Sequence, residues 1–238
     1  MTRFAFYWLF ALCLSLPASA QTIKSATAED VAIAFYKIAG LTPSFSAWAE
    51  DTRRYHETPF ALRDKVRAEE AARLSRAYDR YSPATQTLDL ATTARVEIEA
   101  IPDPDNALIV RHVLRWRLAE EQASFFPYEY RDTVFALIPQ KLDAFQEADI
   151  TPAQAEHIAQ KIGAADNVPV IIQLRGLQAD AAKPVSLYGQ DVWALAAGVA
   201  GVTLWDRAGG LIWEKTAGWY TSPRTQSLNQ LKQDQAGR

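Results

Sequence analysis

The sequence has almost no cysteine or methionine, because Cys13 and Met1 are the only examples in 238 residues. Both lie among the first twenty residues, so cleavage after that segment would leave a chain with neither. Such a chain cannot form a disulfide framework, use a thiolate nucleophile or build a cysteine-based metal site. Its stability must come from a hydrophobic core, and residues 21–238 are long enough to bury one.

Histidine is also scarce, with His56, His112 and His157 on three separate predicted elements. Metal sites usually have closely spaced ligands, so the sequence predicts no metal site and no cofactor. The Gly-x-Ser-x-Gly motif of serine hydrolases is missing, and the glycine spacing fits neither a phosphate loop nor a dinucleotide fingerprint. Neighbouring acids such as Glu69 and Glu70 point apart on a helix, although a glycosidase-like pair from distant strands stays open.

An excess of positive charge is lacking as well. The chain has 25 Lys and Arg residues against 28 Asp and Glu residues, a net charge of −3. Residues 1–20 contain Arg3 as their only charged side chain, so residues 21–238 carry a net charge of −4. Nucleic-acid binders present a basic field, and this composition therefore predicts no nucleic-acid partner.

One long apolar run is present, and it lies at the start of the chain. Arg3 precedes the run from Phe4 to Leu16, Pro17 ends it, and Ala18-Ser19-Ala20 is a small-residue cleavage pattern. Residues 1–20 are therefore predicted to be a signal peptide that is removed after Ala20, which indicates a periplasmic or secreted protein. The run is short for a membrane span, and no later run is long enough, so no transmembrane segment is expected after cleavage. An uncleaved anchor is the alternative.

Residues 21–83 are predicted to form a helical N-terminal part. Thr27 is a suitable N-cap, and Gly40 is a suitable stop for the helix that follows it. Thr42-Pro43 and Thr58-Pro59 each place proline at the first helical position after a capping hydroxyl. The helix after Thr58 is the clearest, because its apolar residues form one stripe and its charges lie elsewhere.

Residues 84–220 are predicted to form a mostly antiparallel β region. Alternation from Leu88 to Ala100 indicates one strand, and residues 108–118 indicate a second with His112 on its inward face. Matching the two faces places Val96 near His112 and Glu97 near Arg111. A third strand is predicted from Arg131 to Ile138, and a capped helix occupies residues 152–163.

The stretch from Val202 to Glu214 reads as a hairpin. Asp206 can cap its turn, and Gly209 and Gly210 tolerate the positive φ that such a turn requires. The predicted register puts Trp205 opposite Leu211 and Thr203 opposite Trp213. Both tryptophans then share one face, which indicates either the centre of the core or a contact surface.

Together these patterns predict an α+β protein. N-terminal helices would pack on a mostly antiparallel sheet with one further helix and a C-terminal hairpin. Residues 221–238 are polar and are predicted to be a flexible tail. Whether the helical and β parts form one domain or two stays open, because residues 82–84 make a short joint.

Two sets of side chains besides the tryptophans are candidate site residues. His112 could be a catalytic base, with Thr92 or Tyr130 as its hydrogen-bond partner, or simply a paired core histidine. An outward strip could meet an anionic partner or lipid headgroups, or could pair with Glu97 and Glu99 across the strands. The strip consists of Arg111, Arg115 and Arg117.

The motif Phe45-x-x-Trp48-Ala49-Glu50 with Tyr55, the charged helix after it, and Trp205-Asp206-x-x-Gly209 resemble an exported bacterial family of unknown function. The resemblance spans most of residues 21–238. It implies a bacterial envelope location and transfers no catalytic residue.

Three functions are compatible with the sequence. The first is a non-enzymatic periplasmic module that contacts another envelope protein through Trp205, Trp213 and the arginine strip. The second is a carrier of a small apolar ligand, and the third is a hydrolase with His112 at its centre. The carrier's pocket would lie between helices and sheet and would be lined by residues such as Phe35, Trp48, Trp116 and Trp193.

Overall fold

The computed structural model describes residues 25–103, 105–106, 110–118, 125–165, 167–187, 189–222 and 225. The predicted signal peptide, most of the predicted tail and Leu108 lie outside these residues. The described part is an α+β protein with five α-helices and a nine-stranded mixed sheet. The helices are α1 (Ala28–Ile38), α2 (Phe45–Glu50), α3 (Arg53–Glu57), α4 (Arg63–Arg80) and α5 (Pro152–Ile162).

The strands form one sheet in the order β3-β4-β8-β6-β1-β2-β5, with β7 and β9 also paired to β8. All pairs are antiparallel except β4 with β8. The strands are β1 (Leu88–Pro102), β2 (Val110–Leu118), β3 (Phe126–Tyr130), β4 (Thr133–Gln140), β5 (Glu147–Ile150), β6 (Val168–Ala179), β7 (Val185–Leu187), β8 (Gln190–Trp205) and β9 (Leu211–Thr216).

Capping boxes begin α1 and α5, at the predicted N-cap Thr27 and at the predicted capping box of Thr151. The Thr27 hydroxyl accepts from the Asp30 backbone N–H at 3.2 Å, and the Asp30 carboxylate accepts from the Thr27 N–H at 2.9 Å. Thr151 and Gln154 make the same reciprocal pair. These side chains satisfy N–H groups that have no partner inside the helix, which explains where both helices begin.

The predicted helix starts at Thr42 and Thr58 are wrong. Ser44 caps α2 instead. The Thr58 hydroxyl donates to the Arg54 carbonyl at 2.6 Å, so it completes the end of α3 rather than capping a new helix. A 3₁₀ turn at Phe60–Leu62 follows, and α4 begins only at Arg63.

Strands β1 and β2 pair with a register that differs from the prediction by four residues. Val96 lies opposite Trp116 rather than His112, and Glu97 lies opposite Arg115 rather than Arg111. An even shift keeps every side chain on its predicted face, since neighbouring residues of a strand alternate between faces. The facing pattern alone could therefore not distinguish the two registers.

The predicted third strand is one half of a hairpin. Strand β4 begins at Thr133, and β3, which the sequence did not predict, lies opposite it. Arg131 and Asp132 form the two-residue turn, with φ of 52° and 57°. Both residues adopt the left-handed conformation that a tight hairpin turn requires, without the usual glycine or asparagine signal.

The C-terminal hairpin contains a β-bulge between Leu204 and Trp205. Trp205 lies opposite Leu211, as predicted, but Thr203 lies opposite Glu214 rather than Trp213. The extra residue, Ile212, lies in β9 and shifts the register by one beyond the turn, so Trp213 lies opposite Leu204 and does not share the face of Trp205 as predicted.

Helices and sheet share one hydrophobic core. The Phe35 ring of α1 lies 5.2 Å from the Phe135 ring and 5.6 Å from the Trp193 ring, measured between centroids. The Trp48 ring of α2 lies 5.0 Å from the Tyr130 ring. The N-terminal helices are thus joined to the sheet by aromatic contacts.

Candidate functional site

His112 has no catalytic partner among the described residues. It is half-buried and lies between Ala100 of β1 and Ile150 of β5. Its Nδ1 atom is buried without a hydrogen-bond partner in that part of the chain, and neither Thr92 nor Tyr130 bonds to it. The geometry therefore gives no support to a general base at this position.

The arginine strip is largely neutralised by neighbouring acids. Arg115 pairs with Glu99 and with Glu147, the latter at 3.0 Å, and Arg111 lies 3.5 Å from Asp149. Arg117 differs, because it is exposed and lies directly opposite Arg95. Cross-strand ion pairs therefore account for two of the three arginines, Arg111 and Arg115.

Trp205 and Trp213 are both partly buried. Trp213 packs against the hydrophobic core, and the Trp205 indole N–H is buried without a partner among the described residues. The exposed aromatic side chains are Phe60, at 87% exposure, and Trp219, at 61%. A contact role for the two hairpin tryptophans stays a prediction, and Phe60 and Trp219 present more apolar surface to solvent.

The four residues proposed to line an apolar pocket mostly fill the core. Phe35 and Trp116 are buried, and the Trp116 indole donates to the Phe145 carbonyl at 2.8 Å. Trp193 packs against Phe35, and only Trp48 borders a cleft, whose other walls are mainly charged. All four side chains belong to the hydrophobic core or pack against it, and the carrier function stays a prediction.

One cleft in the described part of the chain has a volume of about 730 Å³. It lies between the C-terminal end of α4 and the start of β1, and we call it the α4–β1 cleft. Its polar lining residues are Ser25, Asp30, Arg80, Tyr81, Thr85, Gln86, Thr87, Asp89, Arg175, Tyr220 and Thr221.

Asp89 is the central acid of this cleft. Its backbone carbonyl accepts from the Ala26 N–H at 2.7 Å, which brings the segment before α1 against the start of β1. Burial raises the pKa of the Asp89 carboxyl, and a hydrogen bond from the Thr87 hydroxyl at 2.9 Å opposes that rise. A half-buried acid with a raised pKa in a cleft is a candidate for a functional role.

Two tyrosines flank the acid. The Tyr81 hydroxyl is buried and has no hydrogen-bond partner among the described residues. Burial raises the Tyr81 pKa, and the nearby charge of Asp30 adds to the effect. Burial also raises the Tyr220 pKa, with a contribution from Asp89. Both phenols therefore stay protonated at neutral pH, and a hydrogen bond with Thr87 opposes the rise at Tyr220.

Two arginines supply positive charge to the cleft. Arg80 donates to the Arg76 carbonyl at 3.2 Å, and Arg175 donates to the Ala84 carbonyl. A guanidinium has five N–H donors, so each retains several for a ligand. The other acid, Asp30, already accepts from the Thr27 backbone and hydroxyl through one oxygen.

Sequence reasoning did not identify this cleft, because its residues come from four separate stretches of the chain. Alternation along β1 places Asp89 on the polar face of the strand, and nothing nearby in sequence indicates that Ala26 and Tyr220 cover it. Helical periodicity places Tyr81 on the apolar stripe of the helix after Thr58, which gives no indication of a site.

The arrangement defines an α+β protein with a mixed polar cleft. No family model, curated protein or solved structure matches the chain. None of the described helices is both long and apolar enough to cross a membrane. Within the described ranges, no three His, Cys, Asp or Glu residues form a group that could hold a metal ion.

Proposed function

We propose that this chain is a non-enzymatic binding protein of the bacterial envelope that holds a polar ligand in the α4–β1 cleft. The observation that carries the proposal is the buried Tyr81 hydroxyl, which has no partner among the described residues. Leaving such a group unpaired costs about 1–3 kcal/mol. Because the hydroxyl lies beneath the cleft surface, the Tyr81 ring must turn toward the cleft before a ligand can accept its hydrogen bond and recover that energy. The envelope location rests on the export pattern of residues 1–20 and on the family resemblance.

The cleft is better suited to binding than to hydrolysis. A glycosidase-like mechanism needs two carboxyl groups that both act on the substrate. Asp30 uses one carboxylate oxygen to cap α1, and Asp89 uses one to accept from the Thr87 hydroxyl, so both acids of the cleft's lining are partly engaged in holding the fold. Asp89, Tyr81 and the two arginines together offer both donors and acceptors to a polar ligand.

Native mass spectrometry of residues 21–238, purified gently from the host envelope, tests the proposal. We expect an additional mass of a few hundred daltons that is reduced in Tyr81→Phe and Asp89→Asn. Asp79→Asn, a change at an exposed position of α4 two residues before Tyr81, should leave the mass unchanged. A bare chain that also fails to take up any member of a broad metabolite library would contradict the proposal.

Contact with another envelope protein is the second candidate function. Phe60 and Leu62 project from the 3₁₀ turn before α4 with 87% and 53% exposure, and exposed aromatic side chains commonly anchor interfaces. A co-purifying protein that is lost in Phe60→Ser but retained in Trp213→Phe would place the contact at this turn. A co-purifying protein that is lost in Trp213→Phe but retained in Phe60→Ser would favour a contact at the C-terminal hairpin instead.

A further inference from the structure

Trp219 directly precedes the cleft residue Tyr220 and exposes its aromatic ring to solvent. Its side chain is 61% exposed, and its ring centroid lies 6.0 Å from that of Tyr220, which lines the cleft. The Tyr220 N–H donates to the Ala217 carbonyl at 2.9 Å, so a hydrogen-bonded turn holds Trp219 in place. Large aromatics exposed beside a polar cleft are well suited to stack on the flat face of a ligand ring.

The polar groups of the cleft match a ligand rich in hydroxyl groups. Asp89 can accept hydrogen bonds, and Tyr81 can donate one. Gln86 accepts from the Ser82 N–H at 3.1 Å through its carbonyl oxygen, which leaves its amide N–H groups for a ligand. Hydroxyl groups both donate and accept, so they can satisfy such a mixture without leaving one kind of group unpaired.

The cleft also has a place for a negative group. Among the described residues, Arg80 and Arg175 form no ion pair with a carboxylate, although most other arginines in the structure do. Planar guanidinium groups bind carboxylates through paired N–H donors. A volume of about 730 Å³ lies within the range of small-molecule sites, about 300–1,000 Å³.

We infer that the α4–β1 cleft binds a saccharide that carries a carboxylate, with a sugar ring stacked on Trp219 and the carboxylate held by Arg80 and Arg175. This inference rests on the proposed function and names its ligand class. The apolar C–H face of a sugar ring covers the indole, and the ring hydroxyls bond to Asp89, Tyr81 and Gln86.

Isothermal titration calorimetry on residues 21–238 with three probes tests the inference. The probes are digalacturonic acid, the neutral disaccharide galactobiose and the non-sugar dicarboxylate glutarate. We expect digalacturonic acid to bind about tenfold more tightly than galactobiose, because charge-assisted hydrogen bonds are the stronger kind. Trp219→Ala should weaken both disaccharides about fivefold through lost stacking.

Arginine variants test the binding of the carboxylate separately from the stacking of the sugar ring. Arg80→Gln and Arg175→Gln should remove the preference for digalacturonic acid, whereas Arg76→Gln, one turn earlier on α4, should not. Because Trp219 and Arg80 are exposed, these variants should retain the wild-type circular dichroism spectrum.

Three outcomes would contradict the inference that the cleft binds a saccharide. If glutarate binds as tightly as digalacturonic acid and Trp219→Ala has no effect, the cleft is a simple anion site. If native mass spectrometry identifies a ligand without a sugar ring, the cleft binds another class and the proposed function survives. If none of the probes binds and no ligand is found, both the saccharide and the proposed function are wrong.

Discussion

At the scale of single residues, Asp89 shows how position changes the chemistry of a side chain. It occupies a strand position that alternation assigns to solvent, yet the segment before α1 and Tyr220 half-bury it. Burial raises the Asp89 pKa because a charged carboxylate loses hydration there. The folded chain therefore binds a proton at Asp89 more tightly than the unfolded chain does.

The raised Asp89 pKa predicts a pH-dependent loss of stability. As pH rises through the interval between the ordinary aspartate pKa, about 3.9, and the higher folded value, the folded state retains more protons and stability falls. Asp89→Asn should therefore have a higher melting temperature than the wild type at pH 7, and the difference should shrink at pH 3. Thermal melts at both pH values check this. The exposed Asp79→Asn variant is the control. If wild type and Asp89→Asn differ in melting temperature by the same amount at pH 7 and pH 3, the prediction is contradicted.

At the scale of elements, an ion-pair cluster holds three helices together. Buried Glu70 of α4 accepts from Arg54 of α3 at 2.9 Å and from Arg73 of α4 at 2.8 Å. Arg73 also binds Glu29 of α1 through two hydrogen bonds, at 2.6 and 2.9 Å. Burial opposes ionisation of Glu70, but the hydrogen bonds from Arg73 and Arg54 outweigh it and lower the Glu70 pKa.

Loss of the Glu70 charge should therefore destabilise the helical layer. We expect Glu70→Gln to lower the free energy of unfolding by about 2 kcal/mol, less than for a fully buried pair because Arg54 and Arg73 are roughly half-exposed. Glu69→Gln, which removes the more exposed partner of Arg54, should cost less than about 1 kcal/mol. Urea unfolding at pH 7 measures both values.

The pH dependence of this cluster is opposite to that of Asp89. The folded Glu70 pKa is lowered, so its stabilising contribution is complete above the ordinary glutamate pKa and is lost as pH falls through the folded value. The difference between wild type and Glu70→Gln should consequently shrink in acid. A difference that stays constant down to pH 2 would contradict the ion-pair explanation.

At the scale of the whole molecule, the aromatic contacts join the helical part to the sheet. Phe35 touches rings on both β4 and β8, and Trp48 touches Tyr130 of β3. These contacts predict that residues 25–220 unfold as one cooperative unit, although residues 82–84 make only a short joint between the two parts.

Phe35→Ala tests this cooperativity. It should lower the free energy of unfolding by about 3–5 kcal/mol, because a large buried ring is lost. Helical circular dichroism and near-ultraviolet signals should still change together. Phe60→Ala, at an exposed position, should change stability by less than about 0.5 kcal/mol. Separate transitions in the Phe35 variant would indicate two domains.

Local sequence patterns were sufficient for the fold class and for several elements. Capping residues placed the starts of α1 and α5 at Thr27 and Thr151, and alternation located β1 and β2. These features depend on hydrogen bonds and periodicities within a few residues, so the chain encodes them locally. The faces of β1 and β2 were correct for the same reason, since the error in their register was an even number of residues, whereas the bulge places Trp213 opposite Leu204 rather than on the face of Trp205.

Tertiary structure alone decided which distant residues meet. The parallel pairing of β4 with β8, the bulge at Trp205 and the partners of Arg115 depend on contacts across the whole sheet. The α4–β1 cleft is the extreme case, because Asp89 and Tyr220 are neighbours there although 131 positions of the sequence separate them. Burial that shifts a pKa, or leaves a phenol without a partner, arises only when such segments pack against each other, and no local pattern records it.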